Sequence, residues 1–358
     1  MKRRRGNVAF MAVGECHENL KKSQVEPPAR PMARRRFVLR FQEGDIMKLS
    51  IKPTAPLIAA AAFASALSIG LAAAPANADT FAFSFNTGAV TNSIASASRP
   101  ESGGKFEIES ADDFVTPAGQ TSLTSATFTG LLTGGATAAN VGQVAVEIYR
   151  VFPADSNVAR TSGPPTFSTP QVPTRVNSPS DVELVGRSTA DGNLTFTTTN
   201  LATFTGAANS VQPNGIHPMP GQTTMGNGPV SGQEVQFNVN FTVPISLASD
   251  HYFFVPQVEV TTASGEFLWL SGTRPLVPSP FPPGVTDLQS WTRDAMLDPD
   301  WLRIGTDIVG GATPPTFNAA FSLNGVVSTP LPGALPLFAT GLGALGLLAW
   351  CRKRKAAA

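Results

Sequence analysis

Cysteine is almost missing from this chain of 358 residues, and its two cysteines, Cys16 and Cys351, lie near the ends. The stretch 79–330 has none, so no disulfide can staple it. About 250 residues without a staple must be held by burial, and that length supports one full hydrophobic core or two small ones. Histidine is equally scarce: of three in all, only His217 and His251 fall in 79–330. His217 has no cysteine or carboxylate at ligand spacing, and His251 follows Asp250 at the start of an expected strand. A Ser-His-Asp triad assembled from distant residues would have to recruit one of these two. Gly-x-Ser-x-Gly, His-Glu-x-x-His and a glycine-rich phosphate loop are all absent.

Lysine is the third shortage, with Lys105 the only one in 79–330. The whole chain carries 26 basic and 25 acidic side chains, a net of +1. Residues 1–78 hold 13 basic and 5 acidic groups, and residues 331–358 hold 4 basic and none acidic. What remains in 79–330 is 9 basic and 20 acidic groups, a net of −11. A domain this acidic does not bind nucleic acid through a basic patch, but it suits solubility, divalent cations and neutral or cationic glycans.

The terminal segments are built differently. From Gly333 to Trp350 only Thr340 has a polar side chain, and Cys351 is followed by Arg352-Lys353-Arg354-Lys355. Eighteen helical residues at about 1.5 Å each reach roughly 27 Å, near the hydrocarbon thickness of a bilayer. The pattern predicts a transmembrane helix over 333–350, with its basic end in the cytoplasm and the preceding domain outside.

The last thirty residues resemble the PEP-CTERM sorting signal of Gram-negative bacteria: a Pro-x-Pro motif, one span and a basic cluster. The matching residues are Thr329-Pro330-Leu331-Pro332-Gly333, Leu335-Pro336-Leu337-Phe338 and 341–348. They are closest to the Val-Pro-Leu-Pro-Ala subtype, with Thr329 in place of Val and Gly333 in place of Ala. Leu331 stands where the main family has Glu, which points to a subtype of the sorting enzyme. The resemblance implies recognition by an exosortase, a membrane-embedded cysteine peptidase, and tail removal near Pro330–Pro332. It also implies an association with exopolysaccharide and the biofilm matrix. The bland alternative is a permanent single-span anchor.

Residues 47–78 have the parts of a secretory signal: Lys48 and Lys52, an apolar run over 57–74, then Pro75 and Ala76-Asn77-Ala78. Small residues at Ala76 and Ala78 place the mature start at Asp79. The 46 residues before Met47 contain Arg3-Arg4-Arg5 and Arg34-Arg35-Arg36 and little apolar periodicity. A start at Met47 accounts for them, and 1–46 is set aside as an extension or a disordered basic segment. The expected organisation is thus 1–46, a signal peptide 47–78, an ectodomain 79–328 and a sorting signal 329–358.

The ectodomain is expected to be all-β, a β-sandwich or jelly roll. In Glu234–Val243, Val235, Phe237, Val239, Phe241 and Val243 alternate with polar residues, which buries one face. Gln143–Val151 alternates likewise. Further strands are expected at 80–85, 105–110, 122–131, 182–187, 194–199, 252–260, 266–270, 301–305 and 317–323. Pro- and Gly-rich stretches at 153–179, 212–230 and 274–283 are expected as surface loops.

Candidate chemistry is sparse. Asp112-Asp113, with Glu107 and Glu109, and the looser group Asp294, Asp298, Asp300 and Asp307 offer hard oxygen ligands for Ca²⁺. Neither group has the spacing of a twelve-residue calcium loop, and charged residues in turns are usually just solvated, which is the favoured reading of both groups. Trp291 and Trp301 flank Asp294–Asp300 and are candidates either to stack on sugar rings or to pack in the core, whereas Trp269 has a core context. Three functions follow: a non-enzymatic surface or matrix protein, a glycan-binding module with or without Ca²⁺, and a polysaccharide hydrolase or lyase with a dispersed acid pair. The implied partners are the export machinery, the sorting peptidase and extracellular polysaccharide, with no nucleic acid. No cofactor other than Ca²⁺ is implied.

Overall fold

The computed structural model describes residues 79–157, 176–184, 188–190, 192–216, 224–273, 284–295, 297, 300–311, 317–329 and 334–356, with the backbone alone at 203, 204, 334–340, 351, 355 and 356. The chain divides into a unit 1–71, which lies outside these residues, and a unit 72–358. The expected signal peptide and the 1–46 segment fall outside the described residues.

The second unit is all-β, with two sheets. The eight-stranded sheet contains β1 (Asp79–Asn86), β2 (Val90–Ala97), β4 (Gln120–Leu132), β8 (Leu194–Ala207), β9 (Asn209–Val211), β10 (Val230–Leu247), β12 (Phe267–Gly272) and β15 (Phe321–Thr329). The seven-stranded sheet contains β3 (Ile108–Val115), β5 (Val141–Val151), β6 (Pro179–Glu183), β7 (Ser188–Thr189), β11 (His251–Val260), β13 (Trp291–Asp294) and β14 (Leu302–Arg303). All pairings are antiparallel except β2 with β9.

Aromatic side chains close the space between the sheets. Phe254 of β11 stacks on Phe321 at 5.2 Å and meets Trp269 at 6.1 Å and Phe128 at 6.3 Å, all three from the opposite sheet. Phe114 of β3 meets Phe85 of β1 edge-on at 6.1 Å. Each such side chain, once buried, contributes on the order of 1.5–3 kcal/mol. Strand β4 is the hub, pairing with β10 along one edge and with β15 and then β12 along the other. Gly130 sits at that junction, because a Cβ there would collide with the Phe267 ring and the Leu268 carbonyl.

The alternation of β10 puts Val235, Phe237, Val239 and Phe241 in the core, as its sequence predicts. Val243 departs from the pattern and is 61% exposed. Between Asn240 and Ile245 the register with β4 shifts, and burial resumes one bulge later at Ile245 and Leu247. The strand expected at 105–110 begins only at Ile108, since Ser102 and Lys105 pair across a turn whose Gly103 and Gly104 have φ of +56° and +80°. The strand expected at 301–305 is only two residues long and runs into a π-helical turn, Ile304–Val309. Arg303 pairs with Asp307 across that turn at 2.8 Å.

The outer face of the seven-stranded sheet is covered too. Ala111, Tyr149, Phe253, Val255, Leu288, Trp291 and Trp301 form a second, smaller core there. Strand β5 is therefore buried on both faces from Val144 to Tyr149. After β15 comes α1 (Ala334–Ala356), whose residues 341–350 are exposed. Among the described residues, no helix is long and apolar enough to cross a membrane.

Candidate functional site

Period-two geometry decides which side chains share the outer face of the seven-stranded sheet. Glu107, Glu109, Ala111 and Asp113 have one parity, and Ile108, Ser110, Asp112 and Phe114 the other. On β5 the outward parity holds Glu147 and Tyr149, and β13 adds Trp291 and Arg293. These residues border a cavity of about 490 Å³ lined by Glu101, Glu107, Glu109, Glu147, Tyr149, Asp181, Glu183, Arg293, Asp294 and Ala295.

Tyr149 is the centre of the network. Its Oη lies 2.7 Å from Glu109 Oε1, 3.0 Å from Glu147 Oε2 and 3.2 Å from Glu183 Oε2, and it accepts a bond from Arg293 Nη2 at 2.9 Å. One hydroxyl has one proton, so it can donate to only one of three carboxyl oxygens. The Arg293 Nε donates to Glu109 Oε2 in a short ion pair. The guanidinium packs beside two aromatics that touch each other edge-on, 4.4 Å from the Trp301 ring centre and 5.3 Å from that of Tyr149.

These surroundings drive two neighbouring carboxyls apart. Burial pushes Glu147 up to about 9, helped by the charge of Glu109 and a hydrogen bond to it. Burial also pushes Glu109 upward, but the charge and hydrogen bond of Arg293, with bonds from Glu147 and Tyr149, outweigh it and hold that carboxyl below the ordinary value. Burial and the charge of Glu109 push the Tyr149 hydroxyl up. At neutral pH the group is Arg293⁺, Glu109⁻, a protonated Glu147 and a neutral Tyr149. Glu147 then donates a proton where a second carboxylate beside Glu109 would only repel.

The other predicted residues are placed as follows. Asp112 and Asp113 are fully buried and leave β3 on opposite faces. Asp112 accepts bonds from Ser290 Oγ at 2.8 Å and Ala319 N at 3.0 Å. Asp113 Oδ2 lies 2.6 Å from His251 Nε2 and accepts from Leu288 N at 3.1 Å. Both carboxylates thus tie β3 to the segments around 288–290 and 319, and β-alternation prevents them from facing a single ion. Asp300 is buried, and Asp298 lies outside the described residues. Among the described residues, no group of three or more His, Cys, Asp or Glu is arranged to hold a metal ion.

Of the two readings of Trp291 and Trp301, packing holds and stacking on a sugar does not: they are 3% and 0% exposed. Trp301 packs edge-on against Tyr149 at 5.5 Å, and Arg293 covers its face, so neither indole offers a free surface to a sugar. Trp269 is in the main core, as its context predicts.

Of the terminal addresses, Asp79 is the first residue of β1, while Ala76 and Ala78 lie outside the described residues. Pro330, Leu331 and Pro332 also lie outside them. Arg352, Lys353 and Arg354 are exposed on α1, which also includes Lys355, and the Arg354 guanidinium sits 4.1 Å from the Trp350 ring centre.

The sequence groups Glu109 with Asp112 and Asp113 and marks none of Glu147, Tyr149 and Arg293 as a site residue. The one local signal was Glu147-x-Tyr149 on the polar parity of an alternating strand. The sequence matches no family model, and no curated protein or solved structure is significantly similar to it.

Proposed function

We propose that this chain is an exported surface or exopolysaccharide-matrix protein: a non-enzymatic β-sandwich delivered by the signal over 47–78 and released from the inner membrane when an exosortase removes the tail. The supporting observation is that the two expected addresses meet in one sheet. Asp79, the expected mature start, lies in β1, and Thr329, one residue before the Pro-x-Pro motif, lies in β15. Those two residues are register partners, and Thr329 Oγ1 donates to the Asp79 carbonyl at 3.3 Å. Cutting at both addresses would leave every strand described above intact. The absence of cysteine in 79–330 also lets the domain fold in any redox compartment.

On this proposal α1 and the apolar residues before Trp350 span the membrane until the cut, with Arg352–Lys355 on the cytoplasmic side. The test is fractionation of a host with its exosortase and of the same host without it. The protein is expected in the matrix or medium of the first and in the inner membrane of the second. An identical inner-membrane location in both strains would overturn sorting.

A second role, as a glycan-binding ectodomain, draws support from the cavity on the outer face. Seven carboxyl side chains and one arginine around about 490 Å³ suit a polyhydroxylated or cationic sugar. The pair Glu109 and Glu147 does not suit glycoside hydrolysis. They hydrogen-bond to one another, whereas carboxyls that flank a scissile glycosidic bond stand about 5–9.5 Å apart. Calorimetric titration with neutral and amino-sugar oligomers tests the role, and a Glu183→Gln variant that binds as well as wild type would sink it.

A further inference from the structure

The last residues before the tail are held in the interior of a sheet. Strand β15 runs between β1 and β4, so that Val327 pairs with Phe81 and Thr121, and Ser328 with Thr80 and Gln120. Thr329 pairs with Asp79. On the proposed processing, the cut at 330–332 comes one to three residues later. Peptidases take their substrates as extended chains, commonly by adding them to a strand edge, and need backbone donors on both sides of the cut. Pro330 and Pro332 have no N–H, so donors on the amino side must come from Leu331 and from residues already inside the sheet.

The two neighbours of β15 hold it unequally. On the β4 side, the partners of Val326–Ser328 are Ser122, half-buried, Thr121, fully buried, and Gln120, exposed, and the strand continues through the core from Leu123. On the β1 side, Asp79, Thr80, Phe81 and Ala82 are all exposed, and the strand is anchored in the core only from Phe83 and Phe85. Lifting residues 79–82 breaks ladder hydrogen bonds, each worth about 0.5–1.5 kcal/mol net, and bares one flank of a single core side chain, Val327, the register partner of Phe81. Lifting the facing part of β4 would open the core. End-fraying of this kind is the least costly local opening a sheet has.

We propose that the first half of β1 is a detachable cover over a docking edge for the sorting peptidase. Asp79–Ala82 leaves β15, and the peptidase pairs with the freed edge at Val326–Thr329 before it cuts the tail. The step rests on the proposed tail removal, and the cover itself makes and breaks only hydrogen bonds. The partner is thus an enzyme that reads backbone through a strand edge, which adds a recognition element outside the tail.

Two engineered disulfides in the full-length protein separate the cover from its anchor. Thr80→Cys with Ser328→Cys bridges a register pair within the cover. Ser84→Cys with Asn324→Cys bridges a pair four residues further along the same ladder, where β1 is already anchored. With no natural cysteine in 79–330, each variant has one pair that can close within the sandwich. In a host with its exosortase, the oxidised Thr80–Ser328 variant is expected to keep its tail by intact mass, and a membrane-permeant reductant to restore processing. Restored processing also demonstrates that this variant folds. The Ser84–Asn324 variant is expected to be processed like wild type. Processing of the oxidised Thr80–Ser328 variant at the wild-type rate would overturn the cover while leaving sorting intact. An unsubstituted protein that keeps its tail would overturn sorting itself.

Discussion

Strands β5 and β10 carry the same alternation of apolar and polar residues, yet their polar faces meet opposite fates. On β10 the polar parity is wet: Gln236 and Asn238 are half-buried and Asn240 is exposed. On β5 the polar parity is sealed, with Glu147 and Tyr149 only 2% and 1% exposed. The difference lies in the segment 284–311: its strand β13 extends the seven-stranded sheet beyond β3 and carries Trp291 and Arg293 on the outer face, where Trp301 joins them. Alternation reports that two faces differ in chemistry; it does not report that one of them is dry and the other wet. A buried polar face has to be closed by partners, and here the closure is one cation, one protonated carboxyl and one hydroxyl.

The contrast can be broken most forcefully from its apolar side. Phe254→Ala removes the ring that bridges the two sheets and is expected to cost about 3–5 kcal/mol in chemical denaturation. The outer face should be comparably sensitive for a different reason. Arg293→Met leaves Glu109 buried without its counter-charge, at a cost of about 3 kcal/mol. Adding Glu109→Gln to Arg293→Met should recover part of that loss, as a double-mutant cycle would measure. If the cycle shows no coupling, the pair is not what seals the face.

Glu147 gives a pH signature with a definite sign. Its folded pKa is raised from 4.5 to about 9, so its contribution to stability is fully present below 4.5 and is lost as pH rises toward 9. Glu109 shifts the other way, and its contribution is lost only as pH falls below its ordinary value of 4.5. The interval between 4.5 and 9 therefore belongs to Glu147, with a slope of at most about 1.4 kcal/mol per pH unit. Glu147→Gln should flatten the stability profile there, and an unchanged slope would show that Glu147 is ionised in the fold. The smallest effect is expected on the wet face of β10, where Asn240→Ala should change stability by no more than about 0.5 kcal/mol.

These differences also explain what could be read from the sequence. Strands with strict alternation or a Val/Phe-rich run, such as β10, β11 and β4, were legible, and so was the all-β class. Strand β2 was missed because Val90–Ala97 is mostly small and polar, and β13 because four residues ending in Arg293-Asp294 look like a turn. Asp112-Asp113 also read as a turn or an ion site, although both are buried strand residues whose carboxylates tie segments together. The network around Tyr149 had no local signal, since Arg293 and Glu109 are 184 residues apart and meet only through the β3–β13 pairing. Lys105, the lone lysine of the acidic domain, is occupied structurally: its Nζ donates to the carbonyls of Val260, Thr262 and Gly265.

On the proposed function the two-sheet β domain lies between two removable addresses, and the termini of the chain recovered outside the membrane test that proposal most directly. Intact mass and terminal peptides should place the start at Asp79 and the end between Thr329 and Pro332. A recovered chain that retains Arg352–Ala358, or that ends within 80–328, would contradict it.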